Sequence, residues 1–177
     1  AVWLDPELTS PYAFFQFWLN TDDRDVVGFL KLLTFVSREE VEELARSTAE
    51  KPQARAAQRA LARELTTLVH GAEACAAVEE ASAALFGRGD LTGLDERTLT
   101  AALVEAGAVA APEGDRPSVT DLLVLTGLAE SRSAARRAIK EGGAYVNNVR
   151  VVAEDAVVGP ADFLHGRDDT FGDHVTT

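Results

Sequence analysis

With one cysteine, no methionine and only 7% aromatic residues among 177, this chain has few of the usual chemical handles. A lone Cys75 excludes an intrachain disulfide and any cysteine-built zinc site. Set in an alanine-rich stretch, it reads as a small buried residue, and such thrift with cysteine fits a reducing, cytoplasmic setting. No run reaches the roughly 18 uninterrupted apolar residues of a membrane span, so no membrane partner is expected. The start, Ala1-Val2-Trp3-Leu4-Asp5, lacks Met and the basic-then-apolar layout of a signal peptide, which suggests a piece excised from a longer chain. His70, His165 and His174 have no ligand partners at metal-binding spacing, so no metal is expected. GxSxG, Walker, GxGxxG and HExxH motifs are all missing, and no Ser or Thr has a readable base. These absences leave no catalytic residue to nominate in this chain.

Positive charge is scarce as well. A net charge of −12 argues against broad, non-specific affinity for nucleic acid. The charge is unevenly spread, however. Residues 118–150 hold five basic and three acidic side chains, against 11 and 20 in residues 1–117 and one and six in residues 151–177. Within the single positive segment lies Ser131–Val151, SRSAARRAIKEGGAYVNNVRV. Projected at about 100° per residue, Arg132, Lys140, Arg136 and Arg137 fall on one arc of a helix, with Ala134, Ala135, Ala138 and Ile139 opposite. Gly142-Gly143 ends that helix, since glycine accepts a left-handed cap. Ala144–Val146 and Val149–Val151 then read as two short strands around an Asn147-Asn148 turn. An anionic partner is expected to dock there, because the planar fork of arginine bonds phosphate bidentately.

Apolar content of 46%, rich in Ala and Leu, predicts a largely helical core. Ser10-Pro11 starts a helix to Leu19 carrying Tyr12, Phe14, Phe15, Phe17 and Trp18, whose helical spacing makes them core rather than base-stacking platforms. Asp22–Phe35 forms a second helix, capped from Asn20-Thr21-Asp22-Asp23. Ser37-Arg38-Glu39-Glu40 is a capping box that opens a third, and the Glu39-Glu40-Glu42-Glu43 cluster is its solvated, dipole-favoured start. Lys51-Pro52 begins a long helix to His70, where the histidine makes a favourable dipole contact. Ala72–Phe86 and Asp95–Ala106 follow, separated by a Gly87-Arg88-Gly89-Asp90 loop. Residues 107–117, with Pro112, Gly114 and Pro117, read as a linker between a helical domain, 1–106, and a smaller domain, 118–167. That second domain opens on a Ser118–Asp121 capping box and continues past its hairpin with more strand, Val151 to Val158. A carboxylate on a loop also accepts from the amino or imino groups of an unstacked base, which makes Asp22 and Asp23 secondary candidates for RNA contact besides capping.

The tract DLLVLTGLAESRSAARRAIKEGGAYVNNVRV, Asp121–Val151, resembles the S-four RNA-binding domain. The upstream tract TSPYAFFQFWLNTDDRDVVGFLKLLTF, Thr9–Phe35, resembles the start of the α-helical anticodon-binding domain of bacterial tyrosyl-tRNA synthetases. The order of the two is also that family's, and the resemblance covers about Ala1–Arg167. It implies a mainly α fold followed by a small α+β unit of two helices and an antiparallel sheet. It implies tRNA(Tyr) as partner, with Arg132, Arg136, Arg137, Lys140 and Arg150 on RNA backbone and Asp22 and Asp23 near the anticodon. It further implies that ATP-dependent tyrosylation and homodimerisation belong to a domain not matched here, since no segment fits a KMSKS-type loop. The fragment alone is then expected to be catalytically inactive and compatible with a monomer. After Arg167 the chain departs from the family: DDTFGDHVTT, residues 168–177, is acidic and turn-like where the family continues with an apolar strand and a basic end. Two other classes compete with this reading. One is a helical protein-interaction module, and the other the RNA-binding part of an RNA-modifying enzyme.

Overall fold

A computed structural model describes residues 2–85, 90–109, 117–164 and 175–176. It divides into two compact units, Ala1–Ser82 and Ala83–Thr177. Among the described residues it is mostly helical with one small antiparallel sheet, the expected fold class.

In the first unit, α1 (Pro11–Leu19) starts as its sequence dictates: Pro11 occupies the first position, and Ser10 Oγ accepts from the Ala13 N–H. Tyr12, Phe14 and Phe15 are buried, whereas Phe17 is half exposed. Asp22 caps α2 (Asp23–Leu33), which buries Val26 and Leu30 completely. Ser37 caps α3 (Arg38–Glu50) through the Glu40 N–H. There Glu42 and Glu43 pair with Arg38 and Arg46 on the exposed surface, so the acidic cluster is a solvated face.

The expected long helix from Pro52 is broken. Pro52–Ala54 is a single 3₁₀ turn, Arg55 is left-handed (φ 48°, ψ 36°), and α4 runs Ala56–His70. A left-handed residue cannot continue the i→i−4 ladder, and from this position the Arg55 guanidinium donates to the Leu19 carbonyl at 2.6 Å. Ala57, Leu61 and Leu65 of α4 close the core against Phe14, Val26, Leu30 and Val41. His70 also departs from expectation. Its ring stands edge-on to Phe14 at 4.9 Å, and burial lowers its pKa, so the neutral form packs where a charged dipole contact was expected. Cys75, on α5 (Ala72–Leu85), is buried as expected, and desolvation pushes its thiol pKa up. The Gly87–Gly89 part of the predicted loop lies outside the described residues, as do 110–116 of the predicted linker.

In the second unit, Asp95 caps α6 (Glu96–Glu105), and Leu99, Ala102 and Leu103 are buried. Ser118 caps α7 (Val119–Leu125) through the Asp121 N–H, but Asp121 returns to the Ser118 hydroxyl rather than its N–H, so the predicted capping box is only half formed. Ser131 caps α8 (Arg132–Glu141). At ten residues α8 is too short to persist alone. It is held by Ala135 and Ile139, both buried with Val119, Leu122, Leu123, Ala144 and Val158. Gly142, at φ +80°, and the Gly143 N–H, donating to the Ala138 carbonyl at 2.9 Å, close its end as a Schellman motif.

The hairpin forms where predicted. β1 (Tyr145–Val146) and β2 (Val149–Arg150) pair in the register Tyr145↔Arg150 and Val146↔Val149. Asn147 and Asn148 take φ +48° and +63°, the left-handed pair of a type I′ turn. The strand expected over Val151–Val158 is replaced by a turn at Glu154-Asp155 and one isolated bridge, Ser118↔Val157. The backbone entering α7 is its pairing partner: Val119 N–H donates to the Ala156 carbonyl at 2.9 Å, and Val158 N–H to that of Pro117 at 3.4 Å. The tail expected to be turn-like contributes β3 (Val175–Thr176), antiparallel on the other edge of β1, giving the order β2-β1-β3.

Candidate nucleic-acid interface

Burial of Ala135 and Ile139 fixes which side of α8 faces water. Arg132, Arg136, Arg137 and Lys140 are all exposed on the remaining arc. Arg136, Arg137 and Lys140 make no ion pair or hydrogen bond among the described residues. Exposed cations without a direct ion pair on one helical face can attract an external anion, although Arg136 also feels the nearby Asp121 carboxylate, and arginine loses little hydration in meeting phosphate.

Arg132 differs from its neighbours. Its guanidinium contacts Asp121 Oδ1 at 2.5 Å, tying the start of α8 to α7. Asp121 also accepts from the Ser118 hydroxyl at 2.7 Å, and this bond and Arg132 hold its pKa below the usual carboxylate value. Both groups border an open cleft of about 400 Å³, lined further by Thr120, Arg136, Glu154 and Asp155. The cleft therefore carries charges of both signs, two arginines and three carboxylates.

Arg150 lies over the end of α8. A Cβ built on Gly142 would overlap the Arg150 guanidinium, so that group occupies the space a side chain at 142 would need. Its charge thereby sits beside the helix C-terminus, where the macrodipole favours a cation. The family resemblance made Arg150 a candidate but gave no sign of this dependence on Gly142.

The two acidic candidates separate clearly. Asp22 Oδ1 accepts from the Arg24 N–H at 2.9 Å and Nε at 3.0 Å, and Oδ2 accepts from Nη2 at 3.1 Å. The Arg24 side chain lowers the Asp22 pKa to about 2. Asp23 instead accepts on Oδ1 from Gln58 Nε2 at 2.5 Å, and its Oδ2 has no hydrogen bond or ion pair among the described residues. Gln58 and Asp121 were not nominated from the sequence. Gln58 had a readable signal: it lies three residues before Leu61 and seven before Leu65, an apolar position on the helical stripe.

Two family models match this chain. One, described as tRNA synthetases class I (W and Y), matches residues 1–87, and the other, the tyrosine–tRNA ligase SYY-like C-terminal domain, matches residues 105–168. A Streptomyces avermitilis protein named tyrosine–tRNA ligase is 64% identical over 166 residues, covering 94% of this chain and 39% of that protein. An Acidothermus cellulolyticus protein of the same name is 60% identical over 167 residues, with the same two shares. One from Mycobacterium tuberculosis is 55% identical over 167 residues, again at 94% and 39%. The chain thus spans about two fifths of the length of the curated relatives it matches.

Proposed function

Because this chain belongs to the tyrosine–tRNA ligase family, matching its C-terminal part, we propose that it is the tRNA-gripping portion of such an enzyme. Its partner is tRNA(Tyr), and its compartment the cytoplasm. It holds the tRNA while ATP-dependent tyrosylation proceeds on residues outside these 177, through which the whole enzyme also dimerises. Arg136, Arg137 and Lys140 on α8, with Arg150 on the hairpin, neutralise RNA phosphates. Arg132 joins them once its bond to Asp121 yields. The turn between α1 and α2, with Asp22 and Asp23, meets the anticodon. Among the described residues no helix is long and apolar enough to cross a membrane.

The observation that carries this reading is the set of three unpaired cations on the one face of α8 left free by the burial of Ala135 and Ile139. Binding of this kind is led by charge and shape rather than by base edges. With about four phosphates neutralised, log affinity falls against log salt with a slope near −3 by the single-strand coefficient. Arg136→Ala with Arg137→Ala removes two of the four, and the slope flattens by about 1.4. Fluorescence anisotropy titrations of tRNA(Tyr) at several salt concentrations read this directly. Equal affinity and equal slope for the variant would overturn the proposal.

A further inference from the structure

The first turn of α4 grips the α1–α2 turn at two points. Arg55, in its left-handed conformation, holds the last carbonyl of α1 at Leu19. Gln58, only 1% exposed, donates through Nε2 to the Thr21 carbonyl at 3.3 Å and to Asp23 Oδ1 at 2.5 Å. Its own Oε1 is buried and has no hydrogen-bond partner among the described residues. An amide in this state is a poor choice for stability alone. The unmatched oxygen carries a desolvation cost that an apolar side chain of similar length would avoid. Asp23 is exposed, so water would replace the Gln58 contact if that contact were lost. Residues kept in costly conformations or environments concentrate where geometry serves a function.

We infer that Gln58 is a positioning residue for anticodon reading: it anchors Asp23 Oδ1 and the Thr21 backbone so that Asp23 Oδ2 stays open and aimed for a base donor. This rests on the proposed reading of the α1–α2 turn as the anticodon contact. Asp22 is the weaker candidate for that part, because Arg24 already donates to both its oxygens. A carboxylate discriminates a base only while its acceptor is held in register, so freeing the turn costs discrimination rather than general affinity.

The test compares the 177-residue chain with Gln58→Met. Each is titrated with tRNA(Tyr) and with the same tRNA carrying a substituted first anticodon base, and each is melted thermally. The expected result is a preference for the unaltered tRNA that falls about tenfold in the variant, the size of one well-made base contact. Affinity for the substituted tRNA is expected to stay constant, with the melting temperature equal or higher. If the original chain shows no preference between the two tRNAs, the anticodon reading itself fails and takes this inference with it. If the original chain discriminates and Gln58→Met discriminates equally, only the role of Gln58 is overturned. If the variant melts lower and loses both tRNAs alike, Gln58 is an element of the fold and the inference is overturned.

Discussion

Replacing Gly142 by alanine tests two claims at one atom. The residue sits at φ +80°, where an L side chain costs about 1–2 kcal/mol. The new methyl would also meet the Arg150 guanidinium. That group is the far end of a flexible side chain and can move aside, so the second cost is not a rigid clash. It is the loss of a cation from the C-terminus of α8, worth about 0.3–1 kcal/mol and at the lower end for an exposed group. Together these predict a destabilisation of about 1.3–3 kcal/mol. For a unit of this size each kcal/mol lowers the melting temperature by about 4–8 °C. Urea unfolding followed by circular dichroism measures the total, and a double-mutant cycle with Arg150→Ala separates its parts. In the Arg150→Ala background only the backbone cost should survive. A cost for Gly142→Ala below about 0.5 kcal/mol would refute the need for glycine, well under the expected left-handed penalty. An equal cost in both backgrounds would refute the placement of Arg150. Gly142→Ala should also weaken tRNA binding, and Arg150→Ala should leave it little more to lose.

Two further outcomes are expected. Burial lowers the His70 pKa below its ordinary 6.5, so the unfolded chain takes up that proton first as pH falls. Stability should therefore decline as pH drops through 6.5, and His70→Phe should lessen that decline; parallel pH profiles would refute it. Asp121→Asn removes the internal counter-charge of Arg132, and should tighten tRNA binding while steepening the salt slope by roughly 0.7–0.9. Unchanged or weaker binding would show that Asp121 aims Arg132 rather than restrains it.

The sequence was most informative where local chemistry decides structure alone. Ser10-Pro11, Ser37 and Asp95 each cap the helix they announce, and Asn147-Asn148 makes its turn because asparagine tolerates the left-handed region. The fold class and the cationic face of α8 were equally legible, since an Ala/Ile stripe opposite four basic residues allows only one way to pack. What escaped depends on partners distant in sequence. The break at Arg55 accompanies a side-chain bond to a carbonyl 36 residues earlier. Val151–Val158 has the composition of a strand, but the segment before α7 supplies a single bridge, so a turn prevails. The helix-end position of His70 suggests charge, while its burial, beside Phe14, lowers its pKa and disfavours that charge. Arg132 and Asp121 are 11 residues apart and meet only because α7 and α8 pack together.

The mixed cleft beside α8 has a consequence for how encounters begin. A polyanion approaching a chain of net charge −12 is repelled from most directions and attracted from few. At physiological salt the Debye length is about 8 Å, so this repulsion acts near contact rather than at range. Glu154 and Asp155 line the same cleft as Arg136, so an anion that leaves the arc into that cleft meets carboxylates. A polyanion whose charges follow the arc would thus be held better than one whose charges do not.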